Sequence, residues 1–476
     1  MDTTPAPRAD HRDCPMPYSR IPRSLLPLLL LTSPAAFASN ATDTTSCHAG
    51  AYRLDDGSIV DVANVDKGAL RWRLIDGRTG RLSERDGQWT STLGWTERPD
   101  SVRVSFGDCG QGKIAFEGKN GRKLKFDITE TRFEGNDVNL RGRLVLPPGA
   151  GPVPIIVTVH GSEDYSGVNR YHMQNLYPAN GVGVFVYDKR GTGESGGKYT
   201  QDFYLLSDDA KAALREAKRL AGKRAGRIGF SGGSQAGWIA PLAASKTPEA
   251  AFVAVGYGMA ISPLGEDAGQ VALDLRNAGY GDDVVAKARE VTDATGKIVA
   301  SHGKDGWDAL TVARNKYGQE KWWGAMKGEY TGLVVSHTPQ QLKAMEPELD
   351  KGTSWDYDPM PVLRELKVPQ LWMLAGADRE APPEETRQRL QSVAAEGRPL
   401  TLVVFPDTDH GILKFETAAN GERTETRIAD GYFRMQLDWI KTGKLGRGPY
   451  GDAQVLTGAA PAAPATPAAA PKAAKP

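Results

Sequence analysis

The sequence predicts an α/β fold: a doubly wound, mostly parallel sheet with a helical cap insertion, preceded by a small β-rich N-terminal domain. Three observations carry that expectation. Short alternating segments with hairpin turns fill the chain from about Ala51 to Thr131, near-continuous apolar runs stand at Val153–Val159 and Gly183–Tyr187, and helical stretches follow such runs. Buried parallel strands read as unbroken apolar runs, and their alternation with helices gives a doubly wound sheet. A chain of 476 residues is long enough for one large domain and a smaller one.

Residues 1–38 read as an export signal. Arg20 and Arg23 precede the apolar run Leu25–Leu31 and the small-residue exit Ala36-Phe37-Ala38. The polar, Pro-rich stretch before Met16 makes that residue an alternative start. A membrane anchor is the competing reading, but the apolar run is far short of the ~20 residues that span a bilayer, so no stable span is expected after cleavage. The mature chain is then periplasmic or secreted, where thiols oxidise. Cleavage after Ala38 removes Cys14 and leaves Cys47 and Cys109, which predicts a Cys47–Cys109 disulfide. Closing that loop is worth roughly 4 kcal/mol in the chain-entropy model. Two free thiols are the alternative.

Residues 39–131 form the expected β-rich domain. Ala69-Leu-Arg-Trp-Arg-Leu, Val102-Arg-Val-Ser-Phe and Leu124-Lys-Phe-Asp-Ile alternate between Asp-Gly and Asn-Gly turns, the chemistry of antiparallel hairpins. A packing or substrate-shaping appendage is the plain reading, and carbohydrate or envelope binding the rival. Residues 132–446 carry the larger domain. Its clearest helix runs from Ser207 to Arg224, with Ser207 as N-cap. About a hundred residues separate the strand near Phe252–Val255 from the next at Gln370–Leu374, too many for a simple crossover, so a cap is inserted at about 261–359. Within it, Trp307, Trp322 and Trp323 either pack the insertion's own core or line an acyl pocket. Residues 458–476, Ala and Pro with a few Lys, have too little apolar bulk to order and read as a disordered tail.

Lys+Arg and Asp+Glu nearly cancel, 59 against 58, which removes the electrostatic argument for a nucleic-acid partner. A small-molecule or short-peptide substrate fits better. No paired Cys-x-x-Cys, His-x-x-x-His or phosphate-binding loop appears, so neither metal nor cofactor is expected.

The strongest chemical signal is Arg227-Ile-Gly-Phe-Ser-Gly-Gly-Ser-Gln-Ala-Gly-Trp, a short strand that turns tightly into the helical run Ile239-Ala-Pro-Leu. A serine at such an elbow projects its hydroxyl above the sheet, and its neighbours two away must be small because the backbone folds back there. Ser234 stands between Gly232 and Ala236. Gly229-Phe-Ser231-Gly-Gly233 also matches the pattern, but it would shorten the strand and put glycines in the first helical turn. A serine needs a base, and an imidazole base needs a carboxylate to fix its tautomer. In strand-elbow-helix folds these follow in that order, acid then histidine. Leu371-Trp-Met-Leu-Ala-Gly-Ala-Asp378 ends a buried strand, and Leu400-Thr-Leu-Val-Val-Phe runs into Pro406-Asp-Thr-Asp-His410-Gly. Asp378 is the candidate acid, with Glu380 the runner-up; His410 is the candidate base, its loop shaped by Asp407 or Asp409. Acyl transfer also needs backbone donors for the oxyanion. Gln235, after the nucleophile, and Ser162, after the run Val157-Thr-Val-His160-Gly161, are the candidates, with His160 orienting that loop.

Together these residues resemble the bacterial secreted α/β-hydrolase superfamily over roughly Val138 to Ile440. Five blocks carry the resemblance: His160-Gly161, Tyr187-Asp-Lys-Arg-Gly-Thr-Gly-Glu-Ser195, Gly232-Gly-Ser-Gln-Ala-Gly-Trp, Gly376-Ala-Asp378 and Asp409-His410-Gly. The chain looks most like the dienelactone-hydrolase, acyl-esterase and prolyl-aminopeptidase-like branches. The resemblance implies a cofactor-independent serine hydrolase with a cap, cleaving an acyl ester or thioester, or an amide in the aminopeptidase-like reading. A non-catalytic binding module on the same scaffold is the alternative from another class. Two departures stand out: Ala236 replaces the second elbow glycine, and Ser162-Glu163-Asp164 follows Gly161 in place of a glycine run.

Overall fold

The computed structural model describes residues 46–65, 69–349 and 351–457. The expected export signal and the Ala/Pro tail lie outside the described residues. Alternating apolar residues and tight Gly turns build an antiparallel closed barrel from β1 (Gly50–Leu54), β2 (Ile59–Asn64), β3 (Leu70–Leu74), β4 (Thr79–Arg85), β5 (Gln88–Ser91), β6 (Val104–Phe106), β7 (Lys113–Phe116) and β8 (Lys119–Lys123). Tyr52, Val60, Val62, Leu70, Trp72 and Phe116 fill it. A Cys47–Cys109 disulfide, with Cα atoms 5.5 Å apart, ties the start of the described chain to the turn before β7. Among the described residues no helix is long and apolar enough to cross a membrane.

The barrel ends at Lys123, before the boundary expected at residue 131. Asp127–Glu134 is instead β9, the edge of a second sheet, paired along its length with β10 (Asn139–Leu146). The alternating run Leu124-Lys-Phe-Asp-Ile straddles its start, and periodicity does not say which sheet a strand joins. The second sheet continues through β11 (Val153–Val159), β12 (Gly183–Tyr187), β13 (Ala225–Gly233), β14 (Val253–Gly256), β15 (Gln370–Ala375), β16 (Leu400–Phe405) and β20 (Gln454–Thr457), in the order β20-β16-β15-β14-β13-β11-β12-β10-β9. Five of its eight neighbouring pairs are parallel.

Helices cover both faces, as a parallel sheet requires. Ile155, Val157 and Val159 face one core with α3 (Phe203–Ala221) and α4 (Ala236–Ser245), while Ile156 faces the other with α2 (Met173–Ala179) and α12 (Tyr432–Thr442). Ala51 and Ile59 of the barrel join that second core, so barrel and sheet share a hydrophobic interior. Helix α3 begins four residues before the expected start. Its N-cap is Asp202, whose carboxylate accepts from the Tyr204 and Leu205 amides at 2.9 and 3.1 Å. Ser207 lies inside the helix and donates back to the Tyr204 carbonyl.

Between β14 and β15 stand α5 (Pro263–Asn277), α6 (Asp282–Ala300), α7 (Trp307–Tyr317), α8 (Thr331–Ser336) and α9 (Pro339–Leu349), followed by α10 (Met360–Glu365). Trp322 is buried in a core of the insertion's own with Tyr317, Met326 and Tyr330, and Trp307 and Trp323 pack against it. After β16 a three-stranded hairpin sheet follows that the sequence reading did not anticipate: β17 (Thr408–Asp409), β18 (Leu413–Thr417) and β19 (Arg423–Ile428).

Candidate active site

Strand β13 places Ser231 inside the sheet, in register between Thr158 and Ala254 and only 2% exposed. Ser234 comes after the strand's last residue, at φ 55°, and Gln235 caps α4. Left-handed backbone at a non-glycine residue is strained and persists where the surroundings impose it. They do so here: the Ser234 amide donates to the Gly256 carbonyl at 3.1 Å, and the Gly237 amide returns to the Ser234 carbonyl at 2.8 Å. A Cβ at Gly232 would lie 2.2 Å from the Val159 carbonyl oxygen and 2.5 Å from the Ala236 Cβ. The alanine is therefore accommodated because the residue opposite it has no side chain.

The loop after β15 holds Asp378, which is buried. Its Oδ1 accepts from the Glu380 and Ala381 amides at 3.0 and 2.7 Å, and its Oδ2 meets His410 Nδ1 at 2.9 Å. That pairing assigns the proton to Nδ1 and leaves Nε2 as the basic nitrogen. Glu380 stands on the other side of the ring, Oε1 3.5 Å from Nε2. Burial lowers the His410 pKa, but the Asp378 hydrogen bond and charge, then Glu380 and Asp409, outweigh it and raise the value to about 9. Asp409 shapes the histidine loop, accepting from the His410 and Arg379 amides at 3.0 and 2.9 Å. Tyr257, which no sequence motif singles out, packs its ring edge-on against His410 with centroids 4.9 Å apart. A side chain at Gly233 would collide with that same ring, so Tyr257 links the serine elbow to the histidine.

The loop after β11 lies beside the serine, since a Cβ at Gly161 would come 3.7 Å from the Ser234 Cβ. Two carbonyls anchor it: Lys189 Nζ donates to Gly161 O at 2.9 Å, and the Tyr199 hydroxyl donates to Ser162 O. A trans peptide points its N–H opposite to its C=O, so the Ser162 N–H faces away from Lys189. His160 is buried with Nε2 2.7 Å from the Tyr187 carbonyl. Burial pushes its pKa down to about 4, which keeps it a neutral donor and a loop orienter. Glu163 is engaged by the Tyr171 hydroxyl.

The insertion reaches this site through α5, whose Gln270 side chain donates to the Glu380 carbonyl. Half-buried Glu266 lies near there too. Burial, with the charges of Glu329, Glu380, Asp378 and Asp267, holds its acid well above the usual carboxylate range. Among the described residues, Cys47, His48 and Cys109 are the one group close enough together to hold a metal, and the two sulfurs are bonded to each other.

Residues 134–406 match the family model of the X-Pro dipeptidyl-peptidases, S15 family. No curated protein matches the chain. Solved structures similar to it include an esterase of Pyrococcus furiosus at 16% identity and TM-score 0.37, covering 60% of this chain and 84% of that one. An acylaminoacyl peptidase of Pyrococcus horikoshii is similar at 15% identity and TM-score 0.41, over 83% of this chain and 58% of that one. Brefeldin A esterase, a bacterial homologue of human hormone-sensitive lipase, is similar at 14% identity and TM-score 0.37, over 61% and 71%. The family match spans more than half of the chain and includes the serine elbow and the Asp378 loop, so the chain belongs to the S15 family of α/β-hydrolase serine hydrolases.

Proposed function

We propose that the protein is an exported acyl hydrolase in which Ser234 is the nucleophile, His410 the general base and acid, and Asp378 its carboxylate partner. The observation that carries this reading is the 2.9 Å His410–Asp378 hydrogen bond, linked through the Tyr257 ring to a serine held at a left-handed elbow. His410 Nε2 takes the Ser234 proton as Oγ attacks the acyl carbonyl. The Ser162 and Gln235 N–H groups stabilise the oxyanion, a contribution of roughly 3–4 kcal/mol per donor in related chemistry. The leaving group departs with the proton from His410, and water, activated by the same nitrogen, releases the acid from Ser234. The Cys47–Cys109 disulfide supports export, since such bonds persist in oxidising compartments.

An ester or thioester needs nothing beyond these groups. A peptide substrate is the second reading, favoured by the peptidase family match and by Glu266 and Glu329 beside Glu380, two acids that burial and mutual repulsion hold above the usual carboxylate range and that a bound substrate amine would draw back to the charged form. A fluorophosphonate label on the mature protein tests the nucleophile. Labelling is expected in wild type and Ser231→Ala and to vanish in Ser234→Ala; persistence in Ser234→Ala sinks the triad. A panel of p-nitrophenyl esters and X-Pro amides then separates the two readings by kcat/KM.

A further inference from the structure

The hairpin sheet after His410 carries a cation that joins both loops of the acid–base pair. Arg423, at the start of β19, sends Nη1 to Asp409 Oδ2 and to the Ala377 carbonyl, each at 2.6 Å. Ala377 precedes Asp378 and Asp409 precedes His410, so one guanidinium is bonded next to each partner. The head group is itself held, lying 3.9 Å over the Phe415 ring of β18. Neither side chain of the pair is free in solvent: Arg423 is 16% exposed and Asp409 13%. Behind Arg423, the barrel fixes its strand. The Trp95 amide donates to the Glu425 carbonyl at 3.0 Å, and the Ile428 amide donates to the Gly77 carbonyl at 3.0 Å. Gly77 and Gly94 lie so close to β19 that a Cβ on either would fall 2.2 Å from a backbone oxygen, of Ile428 and Thr426 respectively.

We propose that Arg423 is a positioning residue: it locks the His410 loop onto the Asp378 loop, and the barrel holds it there. The proposal rests on the Ser234–His410–Asp378 reading. A near-attack geometry lost by about 1 Å costs on the order of 100-fold, so a tie of this kind acts on kcat and leaves substrate binding alone. It also has an electrostatic signature. His410 is faced by Asp378 and Glu380 from the acid loop, Asp409 from its own loop and Tyr257 from the loop after β14. Arg423 offsets the Asp409 charge. Removing it leaves that carboxylate to favour the imidazolium, and the acidic limb of kcat/KM moves to higher pH.

The test measures kcat, KM and the pH profile on p-nitrophenyl butyrate for full-length mature wild type, Ser234→Ala, Arg423→Ala, Arg423→Lys and Asp409→Asn. Arg423→Ala is expected to lose roughly 10- to 100-fold in kcat with KM within about threefold and the acidic limb raised. Arg423→Lys, which keeps the charge, restores the limb and part of kcat. Asp409→Asn loses kcat but lowers the limb. Arg423→Ala with kcat within threefold of wild type and an unmoved limb overturns the proposal. Where Arg423→Ala does not fold, Arg423→Lys and Asp409→Asn decide: wild-type kcat in both overturns it, and a kcat loss with limbs moving as stated supports it. Activity surviving in Ser234→Ala overturns the triad itself, whereas Ser234-dependent activity indifferent to Arg423 overturns this proposal alone.

Discussion

At the scale of single residues, Glu380 adjusts the pH range that Asp378 mainly sets. Its carboxylate faces Nε2 of His410, the nitrogen that the proposed mechanism requires to be unprotonated, 3.5 Å away. With Asp378 and Asp409 it holds the imidazolium up to a pKa of about 9 against the opposing effect of burial, so a large part of the resting enzyme carries a charged histidine at neutral pH. Removing the Glu380 charge lowers the pKa and enlarges the neutral fraction. Glu380→Gln is therefore expected to shift the acidic limb of kcat/KM to lower pH and to raise kcat/KM at pH 7 several-fold, measured on a neutral ester. Glu380 is 52% exposed on its side chain, so the shift should shrink as salt is added. An unmoved limb would remove Glu380 from this role. That Ser234, Asp378 and His410 stand just beyond strand ends was legible because each follows an apolar run, and a strand end is a place that sequence can name. Tyr257 was not, because its part is a ring contact across the sheet edge. Arg423 lies on a hairpin whose sequence, Arg423-Thr-Glu-Thr-Arg-Ile, is polar enough to pass for a loop.

At the scale of elements, the fold was legible wherever burial dictated composition. Val153–Val159, Gly183–Tyr187 and Leu400–Phe405 are strands with the bounds their apolar runs imply, because a parallel strand covered on both faces tolerates few polar residues. Helix α3 was misplaced at its start for the opposite reason: Phe203-Tyr-Leu-Leu is apolar at every position, which hides the amphipathic rhythm that the fold shows, with Phe203 and Leu206 buried one turn apart and Tyr204 exposed. The cap, however, is chemical and can be tested. Asp202→Ala is expected to cost about 1 kcal/mol, the usual worth of an N-cap carboxylate, read as a lower urea midpoint at unchanged slope. Ser207→Ala should cost less, since its hydroxyl only returns to its own helix. A larger loss from Ser207→Ala would restore the later start.

At the scale of the whole molecule, the barrel shares a hydrophobic core with the sheet, and a buried ion pair shows how the two are joined. Asp61 on β2 and Arg73 on β3 point out of the barrel, paired across the strands at 3.4 Å, with Asp61 fully buried. The Asn175 side chain of α2 supports the carboxylate, and His172 at the start of that helix feels the Arg73 charge. Burying two charges gains little over apolar packing, yet removing one partner leaves the other uncompensated at a cost of about 3–5 kcal/mol. Arg73→Met should therefore destabilise the whole chain, in one cooperative transition because barrel and sheet share a core through Ala51 and Ile59. The loss should depend on pH with a definite sign. Burial already raises the Asp61 pKa to about 7 in the folded wild type although Arg73 pulls it down; without Arg73 it rises further above its unfolded value, so the folded variant holds the extra proton to higher pH. Stability of the variant is then greatest at low pH and falls as pH rises through that elevated pKa. Denaturant melts at pH 5 and pH 8 would show a larger deficit at pH 8. Asp61→Asn on the same background should abolish the pH dependence. Two separate transitions, or a deficit equal at both pH values, would mean that the barrel unfolds independently or that Asp61 stays ionised without its partner.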